Sequence, residues 1–67
     1  MLRYKIKPLE KLIENGYTTY KLRTEKHFSE GVIQKFRNEE VVSIKALNEL
    51  CKLLKCQPGD ILEYVED

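Results

Sequence analysis

The side chains best equipped for recognition chemistry fall within ten residues, Ser29-Glu30-Gly31-Val32-Ile33-Gln34-Lys35-Phe36-Arg37-Asn38. Ser29 is a good helix N-cap, because its hydroxyl oxygen can accept from an otherwise unpaired backbone N–H of the first turn. Ile33 and Phe36 then share one helical face, and Glu30, Gly31, Gln34 and Lys35 project from the other, with Arg37 at the exit. A short helix with one apolar stripe and a hydrogen-bonding face has the shape and chemistry to enter a DNA major groove. Taken alone, the same ten residues are better described as an ordinary surface helix, and what precedes them changes that balance.

Other reactive groups are few. His27 precedes Ser29 by two residues, and Cys51 lies further on, but no nucleophile, base and orienting group can be assembled from them. A turn role for His27 fits better. Cys51 and Cys56 stand five apart, which on a continuous helix points them away from each other and argues against a mutual disulfide. One histidine is too few to complete a zinc sphere with two cysteines. Buried free thiols in a reducing compartment follow, and neither metal nor cofactor is expected.

The elements that must position the recognition stretch are read from caps and periodicity. Met1 to Lys7 alternates apolar and basic residues, a weak strand-like period. Pro8 suits a first helical position, Leu9, Leu12 and Ile13 recur at helical spacing, and Gly16 stops that helix as a left-handed cap. Thr18 caps a second helix from Thr19 to about Lys26, with Leu22 inward and Tyr20 partly buried. Lys26-His27-Phe28 makes the corner to the third helix, with Phe28 in the core. Asn38 is placed to adopt a left-handed conformation at the exit. Ser43 caps a fourth helix, Ile44 to about Leu54, whose inward positions read Ile44, Leu47, Leu50, Cys51 and Leu54. After Gln57-Pro58-Gly59-Asp60, a last short helix is expected to turn Ile61, Leu62 and Val65 inward and Glu63, Glu66 and Asp67 outward. Ile61, Leu62, Tyr64 and Val65 are expected to close the core and, on their outer side, to offer a dimer seam.

A chain of 67 residues is read as a single domain, 1–67, with room for one small core and little for an enclosed substrate cavity. Enzymatic activity and a small-molecule substrate are not expected. Net charge is only +1, but nine of the twelve Lys/Arg residues and only four of the eleven acids lie at or before Asn38. That asymmetry suggests a basic face for a polyanion and an acidic end that stays clear of it. No apolar run reaches transmembrane length and no signal peptide is apparent, so no membrane partner and a cytoplasmic location are expected.

In order, Gly16-Tyr17-Thr18-Thr19-Tyr20-Lys21-Leu22, Phe28-Ser29 with Val32 to Asn38, Val42-Ser43-Ile44-Lys45-Ala46-Leu47 and Cys56-Gln57-Pro58-Gly59-Asp60-Ile61-Leu62-Glu63-Tyr64 resemble the lambda-repressor-like helix-turn-helix family. The likeness is narrower to its Cro/cI-type (XRE-type) regulators and covers nearly the whole chain. It implies an all-α, compact five-helix domain with the helix-turn-helix at about residues 18–37, binding double-stranded DNA, commonly as a homodimer. By position, Glu30, Gly31, Gln34 and Lys35 would face bases, and Thr18, Thr19, Arg23, Arg37, Asn38 and Ser43 would lie near phosphates. The chain departs from the family pattern at Arg23, where a small residue is usual, and at His27 and Glu39, where glycine is usual. A carboxylate leads the groove-facing positions, at Glu30. The rival reading is a protein-interaction module, antitoxin-like or co-regulatory, on the same scaffold.

Overall fold

A computed structural model describes residues 1–66. Five helices follow in order, α1 Pro8–Glu14, α2 Thr19–Thr24, α3 Glu30–Arg37, α4 Ile44–Leu54 and α5 Pro58–Ile61. They are framed by two strands, β1 Leu2–Tyr4 and β2 Leu62–Tyr64, which pair antiparallel with Arg3 opposite Glu63. The fold is therefore mostly helical rather than all-α. The last predicted helix stops at Ile61, and Leu62 is already extended (φ −121°, ψ 154°). The alternating residues near Met1 supply the partner strand, so the weak period there was a structural signal. Arg3 and Glu63 form an ion pair at 2.8 Å, the Lys5 amide donates to the Ile61 carbonyl at 2.7 Å, and the N-terminal ammonium donates to the Val65 carbonyl. Asp67, expected to face outward, lies outside the described residues.

Side-chain caps start the central helices. Thr18, Ser29 and Ser43 each accept from the backbone N–H three residues on, in Lys21, Val32 and Ala46. Pro8 and Pro58 open α1 and α5, where the missing N–H costs nothing, and Gly16 (φ +89°) ends the turn after α1. The core joins Leu12, Leu22, Phe28, Ile33, Phe36, Ala46, Leu50, Leu53 and Ile61, all buried. The Phe28 and Phe36 rings meet edge to face at 5.0 Å, fixing the corner onto α3.

Several expected inward positions turn out differently. The buried stripe of α4 is Ala46, Leu50 and Leu53, with Leu47, Cys51 and Leu54 half-buried and Ile44 84% exposed. Starting the inward stripe at Ile44 left out Ala46 and Leu53 and rotated this helix by part of a turn. Ile13 and Tyr20 are likewise exposed, on helices of seven and six residues that each bury a narrow stripe. Left-handed backbone occurs at Lys26, Glu39 and Lys55 rather than at His27 or Asn38. The turn at Lys55 (φ +54°) breaks the helical register between the cysteines, and the Cys56 amide donates to the Cys51 carbonyl at 3.1 Å. The two cysteines thereby come to line one cleft instead of pointing apart. Among the described residues, no helix is long and apolar enough to cross a membrane.

Candidate nucleic-acid interface

α3 is anchored by Ile33 and Phe36, with Val32 half-buried, and the rest of its surface is open. Glu30, Gly31, Gln34, Lys35, Arg37 and Asn38 are all exposed. The inner stripe is apolar because it meets the core, so the outer face keeps every group able to hydrogen-bond a ligand. A Cβ on Gly31 would meet only the Ser29 hydroxyl at 3.9 Å, so packing within the chain does not require glycine there.

The exposed face is partly knitted together. Arg23, at the small-residue position of α2, turns outward and its Nε pairs with the Glu30 carboxylate. Both side chains are largely exposed, so the pair adds little stability. Its consequence is electrostatic, since the one carboxylate leading α3 carries its own counter-charge. At the far end, Arg37 Nη1 donates to Gln34 Oε1 at 3.2 Å. Arg37 also borders a cleft with Lys7, Pro8 and Glu39, which sets it toward the start of α1. Lys35 has no ion partner among the described residues.

Thr18 and Ser43 spend an oxygen lone pair on their caps and stay exposed, whereas Thr19 is half-buried. Asn38 closes α3 and its side-chain amide approaches the Glu40 carboxylate at 3.4 Å. Ser43 and Ser29 border one open groove of about 480 Å³, which also takes in Lys26, Lys45 and Asn48. Lys26 and Lys45 were missed in the sequence. Lys26 stands at the corner itself, and Lys45 is the second residue after the Ser43 cap, a position that turns outward at a helix start.

His27 holds this corner to α4. Nδ1 lies 2.8 Å from Glu49 and Nε2 lies 3.1 Å from Glu25, while the Tyr17 ring stands edge-on at 5.8 Å. The hydrogen bond to Glu49 is the largest influence raising its pKa above the ordinary value, and burial opposes it. With both ring nitrogens engaged by carboxylates, neither is directed at Ser29 or Cys51.

Residues 9–67 match the family model described as the Cro/C1-type HTH DNA-binding domain. The chain belongs to that family. β1 lies ahead of the matched region. A stretch of 28 residues is 50% identical to the protein named "Uncharacterized HTH-type transcriptional regulator YozG" of Bacillus subtilis (strain 168). That match covers 42% of this chain and 33% of the relative, so the chain spans about a third of the curated relative it matches. No solved structure matches the chain.

Proposed function

We propose that this protein is a small, non-enzymatic transcriptional regulator that binds double-stranded DNA with α3 in the major groove. The observation that carries the reading is the division of α3: Ile33 and Phe36 are buried, while Glu30, Gly31, Gln34 and Lys35 lie open to solvent. In this reading Gln34 reads an adenine edge and Lys35 a guanine or a nearby phosphate. Glu30 either accepts from a cytosine amino group or stays paired with Arg23, and Gly31 admits close approach of the duplex. Thr18, Thr19, Arg23, Arg37, Asn38 and Ser43 supply backbone contacts, joined by Lys26 and Lys45. Those phosphate contacts provide most of the affinity, which therefore falls steeply with salt. Residues 1–67 act as one domain in the cytoplasm. As a homodimer the protein sets its two α3 helices about 34 Å apart, one turn of DNA.

A second reading, a protein-interaction module, draws on the pairs Arg23–Glu30 and Gln34–Arg37, which engage groups otherwise free for bases. Selection of bound sequences from a random duplex pool separates the two, run with wild type, Lys35→Glu and Glu30→Gln. The regulator reading expects a palindrome enriched by wild type and lost by Lys35→Glu. It also expects tighter, more salt-sensitive binding by Glu30→Gln, which releases Arg23 toward phosphate. A pool left unenriched by wild type favours the interaction module.

A further inference from the structure

The two cysteines belong to no part of the proposed interface, yet the chain brings them together in a specific way. α4 ends with Lys55 in the left-handed conformation, and the Cys56 amide returns to the Cys51 carbonyl at 3.1 Å. In this type of helix ending, the residue after the left-handed position folds back over the side chain three residues before the helix cap. Those two positions are here both cysteine. Both cysteines are half-buried, and both border one open cleft with Ile44, Leu47, Asn48, Gln57 and Pro58. Both are free thiols in this structure.

From this geometry we propose that Cys51 and Cys56 form an oxidisable dithiol that a peroxide converts reversibly into an intramolecular disulfide. In the first step the Cys51 sulfur attacks one peroxide oxygen. The O–O bond breaks, water leaves, and Cys51 becomes a sulfenic acid. In the second step the Cys56 sulfur attacks the Cys51 sulfur, the S–O bond breaks, and a second water leaves with the remaining thiol proton. Two thiols lose two electrons in total, and one hydrogen peroxide accepts them with two protons. Burial, reinforced by the neighbouring Cys51 and Asp60, pushes the Cys56 thiol pKa up. Cys56 therefore holds its proton firmly, and the first attack is assigned to Cys51. The product ties the end of α4 to the start of α5 across a short turn. A low-molecular-weight dithiol reverses it by exchange.

The test treats the whole wild-type chain with hydrogen peroxide at low protein concentration, then alkylates it and measures intact and peptide masses without reductant. The expected result is a monomer lighter by two hydrogens, closed to alkylation, with the peptides carrying Cys51 and Cys56 linked. Dithiothreitol should restore both alkylation sites. Cys56→Ser, which deletes the resolving thiol, should instead leave Cys51 trapped as sulfenic or sulfinic acid. Disulfide-linked dimers as the main product, or sulfinic acid forming on wild type without any linked peptide, would overturn the proposal. So would thiols that stay open to alkylation after prolonged treatment.

Discussion

His27 sits between two carboxylates, and its ring can donate to both only when doubly protonated. Glu49 is the larger influence and Glu25 the smaller, and together they raise the pKa above the ordinary 6.5 despite partial burial. A raised folded-state value means the protonated ring binds its proton more tightly in the native protein than in the unfolded chain. The stabilisation is complete below about pH 6.5, the unfolded value, and is lost as pH rises through the higher folded value. Urea unfolding at stepped pH should show that decline. In Glu49→Gln, which removes the leading cause, an NMR titration should return the His27 midpoint toward its ordinary value and the stability profile should flatten. A turn role for His27 was legible from its place between two helices. Its partners were not, because Glu49 is distant in sequence and meets it only once α4 packs across the corner.

At the scale of elements, start signals were legible and end signals less so. Thr18, Ser29 and Ser43 were readable as caps because a hydroxyl before an apolar-periodic run has one favourable use, and each makes that bond. Helix ends depend on which residue accepts positive φ, and here three charged residues do so at Lys26, Glu39 and Lys55. Composition favoured Asn38 over Glu39, but the geometry of the α3 exit sets the strained position one residue later. Glu39→Gly should relieve that strain and raise stability by about 0.5–1 kcal/mol, less than the full left-handed penalty because glycine also loosens the unfolded chain. Denaturant melts comparing it with Asn38→Gly, where φ is −91° and glycine brings no such relief, would check the assignment. The strands and the rotation of α4 were the harder cases. A three-residue strand becomes recognisable only with its partner, and β1 and β2 sit at opposite ends of the chain. An exposed Ile44 cannot be told from a buried one by spacing when Ala46 takes the inward place.

Across the whole molecule, the terminal sheet pairs β1 with β2 and packs Tyr4 and Leu62 against the core, with Ile6 packing beside them just after β1. It also reaches the segment that follows α3: the half-buried Tyr4 donates its phenolic hydrogen to the Glu40 carbonyl at 2.8 Å. Burial raises the Tyr4 pKa, so the donor stays protonated well into alkaline solution. Removing only the hydroxyl, in Tyr4→Phe, should leave the helices in place but speed amide exchange across residues 38–42 by several-fold, as one tether of a net worth near 1 kcal/mol is lost. Exchange unchanged there, or quickened evenly throughout, would argue against the link. The exit of α3 is thus moored to residues lying outside the matched family region. Under the proposed DNA-binding role, two proteins sharing α1 to α5 but differing in their opening residues would hold α3 at different tension, so that the prefix tunes grip without touching a base.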